Sequence, residues 1–397
     1  MSVIVTNAKN RIAYNVVRSL GQQGIEVYTA DFVPRSMSFA SRYSKGHFLY
    51  PSPFRDQEGF VQRLIDQIQR LRADVLIPVF EETFLVAKHK ERLSRYVTMV
   101  LPDYEQILIA HNKDKWEQIA RRLEIPVPGS YPIEELRNGT VNTSDLRYPV
   151  LIKPKQGGGA WGIQQLDTAE TLANLLNCPL HDGMPWNRFF IQEKIDGETH
   201  CVAMLFNQGQ LRAKVAYRQL RDYPVTGGQA TLRVSLRNEK AELYLQQLLE
   251  EVKWHGVCQA DFVVDKNTRA PYLIDLNPRL WGSLVQGIAS GVDFPYLIYK
   301  LAREGDISLV TEFKTDVVTR WIGGELGAFF PQLKKSPGKL RFLRTFFFPG
   351  GRAVLYDDFC LADPIPFCAW GIDALLRAVQ FRSVKAVSHD SLPGIWE

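Results

Sequence analysis

The feature that most constrains this chain is a pair of neighbouring strand-like segments that carry oxygen ligands. In Tyr272-Leu-Ile-Asp-Leu-Asn-Pro-Arg279, alternation places Asp275 and Asn277 on one face, while Leu273, Ile274 and Leu276 hold the strand in a core. The preceding run, residues 258–264, alternates in the same way and puts Asp261 opposite its apolar face. If the two segments form a hairpin, Asp261 lies beside the other two ligands. The pattern predicts an all-oxygen site for a hard cation.

Magnesium suits such a site, because Mg²⁺ keeps several waters and binds through a few carboxylate oxygens together with substrate phosphates. Arg279 follows on the same face and offers a fork of donors for phosphate or carboxylate. Taken alone, the segment is explained at least as well by an ordinary strand end, where Asp, Asn and Pro are common.

Composition indicates an ordinary soluble protein of more than one domain. The chain has 397 residues, 45% of them hydrophobic and 23% charged, which favours two or three domains. The net charge of +5 is small for this length and gives no case for binding nucleic acid. Five scattered cysteines, an odd number without metal-type spacing, favour a reduced, cytoplasmic setting. We see no secretory signal and no apolar run long enough to span a bilayer.

The N-terminal residues predict an α/β domain. A buried strand at 3–6, a helix at 12–20 and a strand at 25–30 form a β-α-β unit typical of a parallel sheet. The first loop, residues 7–11, contains no glycine and so lacks the dinucleotide fingerprint. We therefore interpret Asp31, at the end of the second strand, as structural.

Two acidic residues, Glu81 and Glu82, follow a predicted strand at 74–80, at the edge where ligands of open α/β sheets bind. They are placed to meet a substrate amine. We favour the commoner interpretation, a solvated carboxylate pair at a helix start.

The middle of the chain contains candidate anion-binding features. Lys153 lies in the apolar strand 148–154, where a buried ammonium needs a partner. A glycine-rich turn follows, with Gly157, Gly158, Gly159 and Gly162. These glycines can present backbone N–H groups to an anion and can move as a lid, although they do not match the phosphate-loop pattern.

The combination of these pieces resembles the ATP-grasp superfamily, and within it the carboxylate–amine ligases related to carbamoyl-phosphate synthase. The matching pieces, in order, are Lys115 in Asn-Lys-Asp-Lys-Trp, Lys153, the glycine loop 157–162, Gln192-Glu-Lys-Ile-Asp-Gly-Glu198, Asp261-Phe and Asp275-Leu-Asn-Pro-Arg279. Each piece is weak alone, and six in order are specific. The similarity covers about residues 1 to 310.

The resemblance implies a fold of mixed class, α/β and α+β. Residues 1–108 would form a Rossmann-like domain that precedes the ATP-grasp fold. Residues 109–310 would form the ATP-grasp domain itself, with lobes at about 109–188 and 189–310. Residues 311–397 would be a C-terminal extension that packs on it.

The resemblance also implies roles for individual residues around ATP and magnesium. Lys115 and Lys153 would bind the phosphates, and Lys153 and Arg279 would also assist phosphoryl transfer or steady the acyl phosphate. Asp261, Asp275 and Asn277 would hold one or two Mg²⁺ ions, with Mn²⁺ as an open alternative. The remaining nucleotide contacts would be Gly157, Gly158 and Gly159 over the phosphates, Gln192, Glu193, Lys194 and Ile195 around the adenine, and Glu198 at the ribose.

Two positions depart from the family pattern. Position 275 is Asp where Glu is more frequent, so a shorter side chain must reach the metal. Glu198 is followed by Thr199-His200, where relatives often carry a second carboxylate. These departures bear on the bridging of two ions and on the ribose contact, and leave the family resemblance intact.

The expected reaction is ATP-dependent ligation of a small-molecule carboxylate to an amine or ammonia, through an acyl phosphate. This chemistry needs no protein nucleophile. We take Arg218, Arg221 and the loop 223–228, with Gly227 and Gly228, as candidates for carboxylate recognition, since arginines stand beside a glycine turn. The alternative is that both are surface arginines of a hairpin. A carboxylase, a regulatory ATP-binding protein and a dinucleotide-dependent oxidoreductase are the alternatives, and the glycine-free first loop disfavours the last.

The C-terminal segment 334–349 mixes basic and aromatic residues without an acid. It could contact anionic lipid or a polyanionic cell-envelope precursor at the membrane periphery. We favour the alternative that its aromatic residues pack on the ATP-binding domain while its cations stay in water. A homodimer remains open.

Overall fold

The structure, a computed structural model, describes residues 2–155, 163–179, 181, 184–223, 228–347 and 354–381. The predicted glycine contacts Gly157, Gly158, Gly159 and Gly227 lie outside the described residues. All five cysteines lie within them and carry free thiols.

The N-terminal part is a parallel four-stranded sheet with strand order β3-β2-β1-β4. Its strands are β1 (Ser2–Val5), β2 (Glu26–Asp31), β3 (Ser44–Leu49) and β4 (Val75–Ile77), and its helices are α1 (Arg11–Gln22), α2 (Gln57–Leu71), α3 (Glu82–Lys88), α4 (Lys90–Leu93) and α5 (Tyr104–His111). The predicted parallel sheet is therefore confirmed. Strand β4 is shorter than predicted and stops at Pro78, which has no N–H to donate to a ladder. The expected domain boundary near residue 108 falls inside α5.

The next segment builds an antiparallel sheet with order β5-β8-β6-β7. Its elements are α6 (Lys113–Arg122), β5 (Ser130–Pro132), α7 (Ile133–Arg137), β6 (Val150–Pro154), β7 (Gln164–Leu166), α8 (Ala169–Leu176) and β8 (Phe189–Glu193). Apolar residues of these strands and of α7 and α8 form one core. Lys153 and Gln192 lie on the two central strands of this sheet.

The largest sheet has seven strands in the order β13-β12-β9-β10-β11-β14-β15. Its first five strands in sequence are β9 (Gly197–Asn207), β10 (Gln210–Tyr223), β11 (Gln229–Ser235), β12 (Gly256–Asp265) and β13 (Pro271–Asn277), with helices α9 (Glu239–Glu251), α10 (Leu284–Ala289) and α11 (Phe294–Glu304). The predicted hairpin of β9 and β10 is confirmed, with Gln210 opposite Asn207. The predicted pairing of β12 with β13 is also confirmed.

The C-terminal segment forms part of this sheet, in addition to packing on it. It contains β14 (Val318–Arg320), α12 (Ile322–Lys335), α13 (Lys339–Phe347), β15 (Val354–Tyr356) and α14 (Ile365–Phe381). Strand β14 pairs with β11, and β15 pairs with β14, so the segment supplies two strands of the seven-stranded sheet. No helix among the described residues is long and apolar enough to cross a membrane.

A buried group of three charged residues, Arg11, Arg233 and Asp357, forms an ionic clasp. It joins the N-terminal domain, the large sheet and the C-terminal segment. Arg233 of β11 and Asp357, just after β15, are both fully buried and form an ion pair. Arg11 of α1 approaches the same carboxylate, with its Nε 3.5 Å from Asp357 Oδ2. The Arg11 guanidinium also stacks 3.8 Å from the ring centre of Trp321 and donates to the carbonyl oxygen of Gly282. The clasp therefore fixes the N-terminal sheet against the large sheet.

We predict that Arg233→Met destabilises the protein by about 3 to 5 kcal/mol, because it leaves a buried carboxylate without its main partner. Chemical denaturation followed by circular dichroism measures the change. Arg92→Met is the matched control: Arg92 pairs with the exposed Glu58 on the surface, and we expect a loss below about 1 kcal/mol. Equal effects of the two substitutions would contradict the role given to the clasp.

Candidate active site

The predicted cation ligands meet on the β12–β13 pair. Asp261 lies directly opposite Asp275, and Gln259 lies opposite Asn277. Between Asp261 and Phe262 the register shifts by one residue, which leaves Ile274 as an extra residue in β13. As a result Leu273 and Leu276 are both buried, whereas Ile274, predicted to lie in the core, is only half-buried.

Hydrogen bonds orient the oxygens of this group. Gln259 donates from Nε2 to Asp261 Oδ1 at 2.7 Å, and accepts from Asn277 Nδ2 at 2.8 Å. The amide nitrogen of Asn277 is thus engaged, and its oxygen is left to face a ligand. The thiol of Cys201, on the neighbouring strand β9, donates to Asp261 at 2.9 Å. Gln259 and Cys201 therefore hold the proposed ligands in place.

The two carboxylates are incompletely compensated. Burial, followed by the charge of Asp275, raises the pKa of Asp261 to about 6. Lys113 of α6 forms an ion pair with Asp275 at 2.9 Å. Within the described residues no group of three or more His, Cys, Asp or Glu side chains is placed to hold a metal ion. Two carboxylates and one amide oxygen fit a hard cation that keeps waters and phosphate oxygens among its ligands.

Asp222, near the end of β10, adds a third carboxylate to this neighbourhood. Its Oδ1 is buried and has no hydrogen-bond partner among the described residues. Burial, followed by the charge of Asp261, raises the pKa of Asp222 to about 6. A buried acceptor without a partner is costly, so Asp222 is suited to receive a cationic or hydrogen-bonding ligand.

Lys153 is buried at the centre of the smaller antiparallel sheet. Its Nζ donates to Gln192 Oε1 at 2.6 Å. The Gln192 amide in turn donates to Glu117 Oε1 at 3.2 Å and to Ser130 Oγ at 3.1 Å. Burial, with the nearby Lys113 charge, lowers the pKa of Lys153 to about 8. The predicted partner for this buried ammonium is therefore the amide of Gln192, whose side chain turns toward Lys153.

On α6 the structure places Lys113 beside the predicted cation ligands, whereas Lys115, the lysine named from the sequence motif, lies elsewhere and its phosphate role stays a prediction. Lys113 is buried, whereas Lys115 is exposed. A helix turns about 100° per residue, so Lys115 lies about 200° around α6 from Lys113, while Glu117 lies only about 40° away. Lys113 and Glu117 thus face the two sheets together, and Lys115 faces away from them.

The predicted adenine and ribose contacts are distributed over the edge of β8 and the start of β9. Glu193 accepts from the hydroxyl of Tyr131 at 3.2 Å, and Lys194 donates from Nζ to Gln165 at 2.8 Å. Ile195 is half-buried beside them. The adenine role of these residues stays a prediction.

Glu198 and Arg218, predicted to contact the ribose and the substrate carboxylate, bind one another. The Arg218 guanidinium donates to both Glu198 oxygens at 3.0 Å. This contact lowers the pKa of Glu198. Each of the two predicted roles therefore requires this ion pair to rearrange. Gly228 is described and stands immediately before β11.

Arg279 connects the cation site to the N-terminal sheet. Its guanidinium lies 4.4 Å from the ring centre of Phe80, and its Nη2 lies 3.9 Å from Glu81 Oε1. Phe80 adopts a φ of 60°, a left-handed conformation unusual for an aromatic residue. The constrained backbone after β4 thus presents an aromatic ring and a carboxylate to the arginine.

The pair Glu81 and Glu82 is not solvated, contrary to the interpretation favoured from sequence. Glu82 is fully buried and accepts a hydrogen bond from Tyr50 at 2.7 Å. Burial, followed by the charge of Asp31, raises the pKa of Glu82 to about 8. Burial also raises the pKa of Glu81. Only Glu81 faces Arg279, so Glu81 belongs to the site and Glu82 to the core of the N-terminal sheet.

Sequence comparison agrees with this geometry. The sequence pattern of the ATP-grasp domain family matches residues 110–283, a range that contains Lys113, Lys153, Asp261, Asp275 and Arg279. Residues 110–283 therefore form an ATP-grasp domain. The matched range contains the smaller antiparallel sheet and strands β9 to β13 of the large sheet, and the predicted cation ligands lie on β12 and β13.

Two curated proteins show how far the similarity extends. Urea amidolyase of Saccharomyces cerevisiae is 25% identical over 236 residues, which cover 55% of this chain and 13% of that protein. The chain thus matches only a small part of that relative. Biotin carboxylase 1 of Bacillus subtilis is 22% identical over 374 residues, which cover 88% of this chain and 80% of the relative.

Solved structures share the fold. The L-amino acid ligase of Bacillus licheniformis superposes with a TM-score of 0.58 and 16% identity, covering 76% of this chain and 73% of that one. The biotin carboxylase domain of Hydrogenobacter thermophilus 2-oxoglutarate carboxylase, in a complex with MgADP and bicarbonate, superposes with a TM-score of 0.61 and 15% identity. The superposition covers 80% of this chain and 73% of that one. These structures are similar to the chain in fold.

Sequence reasoning did not single out three residues that lie in or near the candidate site. The sequence contained a signal for two of them and none for the third. Lys113 lies three residues before Trp116 and seven before Ala120, so it shares their buried helix face, and this spacing could have singled it out. Gln259 alternates with Asp261 and could have been assigned to the ligand face. Asp222 carried no such signal, because its approach to Asp261 depends on how β10 packs in the sheet.

We predict that Lys113→Met weakens nucleotide binding about tenfold to a hundredfold, because a charge-assisted contact to phosphate is lost while the aliphatic stem is kept. Calorimetric titration with ATP in the presence of Mg²⁺ measures the affinity. Lys115→Met on the same helix is the control and should change the affinity less than about twofold. A larger loss for Lys115→Met than for Lys113→Met would contradict the assignment.

A second prediction concerns Asp261, whose folded pKa of about 6 exceeds its ordinary value of 3.8. The folded protein binds more protons than the unfolded chain between these values, so the stability without metal falls as pH rises through this window. Asp261→Asn removes the charge and should stabilise the metal-free protein at neutral pH by about 1 to 3 kcal/mol.

Denaturation in a chelator and again with Mg²⁺ checks the second prediction. Mg²⁺ should stabilise the wild-type protein more than the variant, since the variant has lost a ligand charge. A variant that is less stable than the wild type in the chelator at neutral pH would show that Asp261 is compensated by the protein alone.

Proposed function

We propose that this protein is an ATP-dependent ligase that joins a small-molecule carboxylate to an amine or ammonia with Mg²⁺ as cofactor. The single observation that carries the proposal is the convergence of Lys113, Lys153 and Arg279 on the paired carboxylates Asp261 and Asp275. Cations for phosphate and anions for metal thus lie within one site of an ATP-grasp domain.

The chain's residues would divide the work of phosphate binding. Lys113 and Lys153 would attract the phosphates, and the lowered pKa of Lys153, about 8, still leaves it largely protonated near neutral pH. Asp261, Asp275 and Asn277 would hold Mg²⁺, which supplies charge neutralisation at the phosphate oxygens when bound. Gln192 keeps the Lys153 ammonium in position through its 2.6 Å hydrogen bond.

The reaction would proceed in two steps. A carboxylate oxygen of the substrate attacks the γ-phosphorus and ADP leaves, which gives an acyl phosphate. The amine nitrogen then attacks the acyl carbon, inorganic phosphate leaves and the nitrogen loses a proton. Arg279, a permanent donor beside the cation ligands, would stabilise the transferred phosphoryl group.

The amine would approach from the N-terminal sheet. Glu81 stands at the carboxyl end of β4 with its Oε1 3.9 Å from Arg279 Nη2, which is the edge where open α/β sheets bind ligands. Burial raises the pKa of Glu81, so a substrate ammonium there would offset an unfavourable buried charge. Arg218 and Gly228 remain candidates for the carboxylate, and Arg218 would have to exchange Glu198 for it.

Carboxylation is the second candidate, because biotin carboxylase 1 of Bacillus subtilis matches over 88% of this chain. Bicarbonate would then take the place of the organic carboxylate as the phosphoryl acceptor. We also propose a cytoplasmic location, which free thiols at all five cysteines support.

The test measures phosphate release from ATP and Mg²⁺ across a panel of amino acids, small carboxylates, amines and bicarbonate, with mass spectrometry of the products. Release that requires a carboxylate and an amine together, with an amide product, supports the ligase. Release with bicarbonate and a carboxylated product would favour the second candidate.

Asp275→Ala should lower turnover at least about a hundredfold, since it removes a metal ligand, while Lys115→Met serves as the active control. Nucleotide bound without turnover across the panel would count against both reactions. It would favour a regulatory ATP-binding protein.

A further inference from the structure

The helices α12 and α13 expose large apolar side chains to solvent. On α13, Leu340 is 83% exposed and Phe347 is 60% exposed. On α12, Leu326 is 60% exposed and Phe330 is 75% exposed. Leu326 and Phe330 are four residues apart and lie on one helix face. Four large apolar residues on two consecutive helices are more than the single exposed residues that are normal on a protein surface.

The opposite side of α13 is fixed to the large sheet. Phe346 is buried, and the guanidinium groups of Arg221 and Arg320 stack on its ring at 5.2 Å and 4.6 Å from the centre. Phe329 of α12 also contacts the rings of Phe342 and Phe346. The aromatic packing favoured from sequence is therefore present. It holds α13 so that Leu340 and Phe347 point outward.

Basic residues surround the exposed apolar side chains. From residue 326 to residue 356 the chain contains six Lys and Arg and no Asp or Glu. Lys334, Lys339, Arg341 and Arg344 are exposed. Leu340 and Phe347 project in nearly the same direction from α13. Around the helix axis, Lys339 lies about 100° to one side of that direction, and Arg344 lies about 40° to 60° to the other side. This pattern is typical of helices that lie in a membrane interface.

We propose that this surface docks on an anionic lipid bilayer. The docking face consists of Leu326, Phe330, Lys334, Lys339, Leu340, Arg341, Arg344 and Phe347. Its leucines and phenylalanines enter the boundary between headgroups and acyl chains, and its cations reach the lipid phosphates along their aliphatic stems. The helices lie on the membrane without crossing it, which brings the ATP-grasp domain to the membrane surface.

Charge argues for lipid over a second copy of this chain. A two-fold dimer through the docking face would set its cations against the same cations of the partner, and this arrangement is repulsive. A nucleic acid would accept the cations but offers no apolar phase for Leu326 and Leu340. An anionic bilayer satisfies both the charge and the exposed aliphatic groups.

Vesicle sedimentation of the full chain tests the proposal at low salt, with phosphatidylcholine vesicles and with vesicles that contain about 30% phosphatidylglycerol. We expect sedimentation with the anionic vesicles and little with the neutral ones. Arg341→Gln with Arg344→Gln should lower the partition coefficient about 25-fold, since each cation near an anionic surface strengthens binding about fivefold. Leu340→Ser with Phe347→Ser should also reduce binding strongly.

The matched control is Lys240→Gln with Leu243→Ser on α9, which removes an exposed cation and a 51% exposed leucine elsewhere. It should bind vesicles like the wild type. Circular dichroism melting of each variant shows that the fold is kept, and the charge variant remains informative if the apolar one unfolds.

Three results would overturn the proposal. They are no sedimentation of the wild type with anionic vesicles, equal sedimentation with neutral vesicles, and a wild-type dimer in ultracentrifugation that the docking-face substitutions convert to monomer.

Discussion

Two half-buried carboxylates, Asp261 and Asp275, lie side by side, and the rest of the site has to balance their negative charge. Like charges at this separation repel, and burial strengthens the repulsion. Burial, followed by the charge of Asp275, raises the pKa of Asp261. Two cations partly balance the negative charge of these carboxylates. They are Lys113 of α6 and Arg279 in the loop after β13. The negative charge that these cations leave unbalanced makes the site suited to a divalent cation.

The positioning of these cations depends on contacts between the parts of the chain. Arg279 is held against Phe80 and Glu81 of the N-terminal sheet. The clasp of Arg233, Asp357 and Arg11 fixes that sheet, from a different side, to the large one. The N-terminal sheet therefore acts as one wall of the site, and its carboxylate Glu81 becomes a candidate for substrate contact.

Much of the fold was predictable because its elements depend on local pattern. Period-two alternation located β12 and β13, and the polar turn between them located the hairpin, so the placement of Asp261, Asp275 and Asn277 on one strand pair followed from the sequence. The β-α-β opening likewise predicted the parallel sheet. The motif pointed to Lys115, whose phosphate role stays a prediction, whereas the helical spacing of Lys113 and Trp116 points to Lys113 as the lysine on the buried face of α6.

The sequence by itself determined which residue types alternate, where helices and strands lie, and that two carboxylates and an amide share a strand face. These properties depend on neighbours a few residues apart. Only the tertiary structure decided that Glu82 is buried, that Asp222 approaches Asp261, that Glu198 and Arg218 bind each other, and that residues after 311 complete the large sheet. Burial and charge pairing between distant residues depend on how whole elements pack, and local sequence pattern carries no record of that packing.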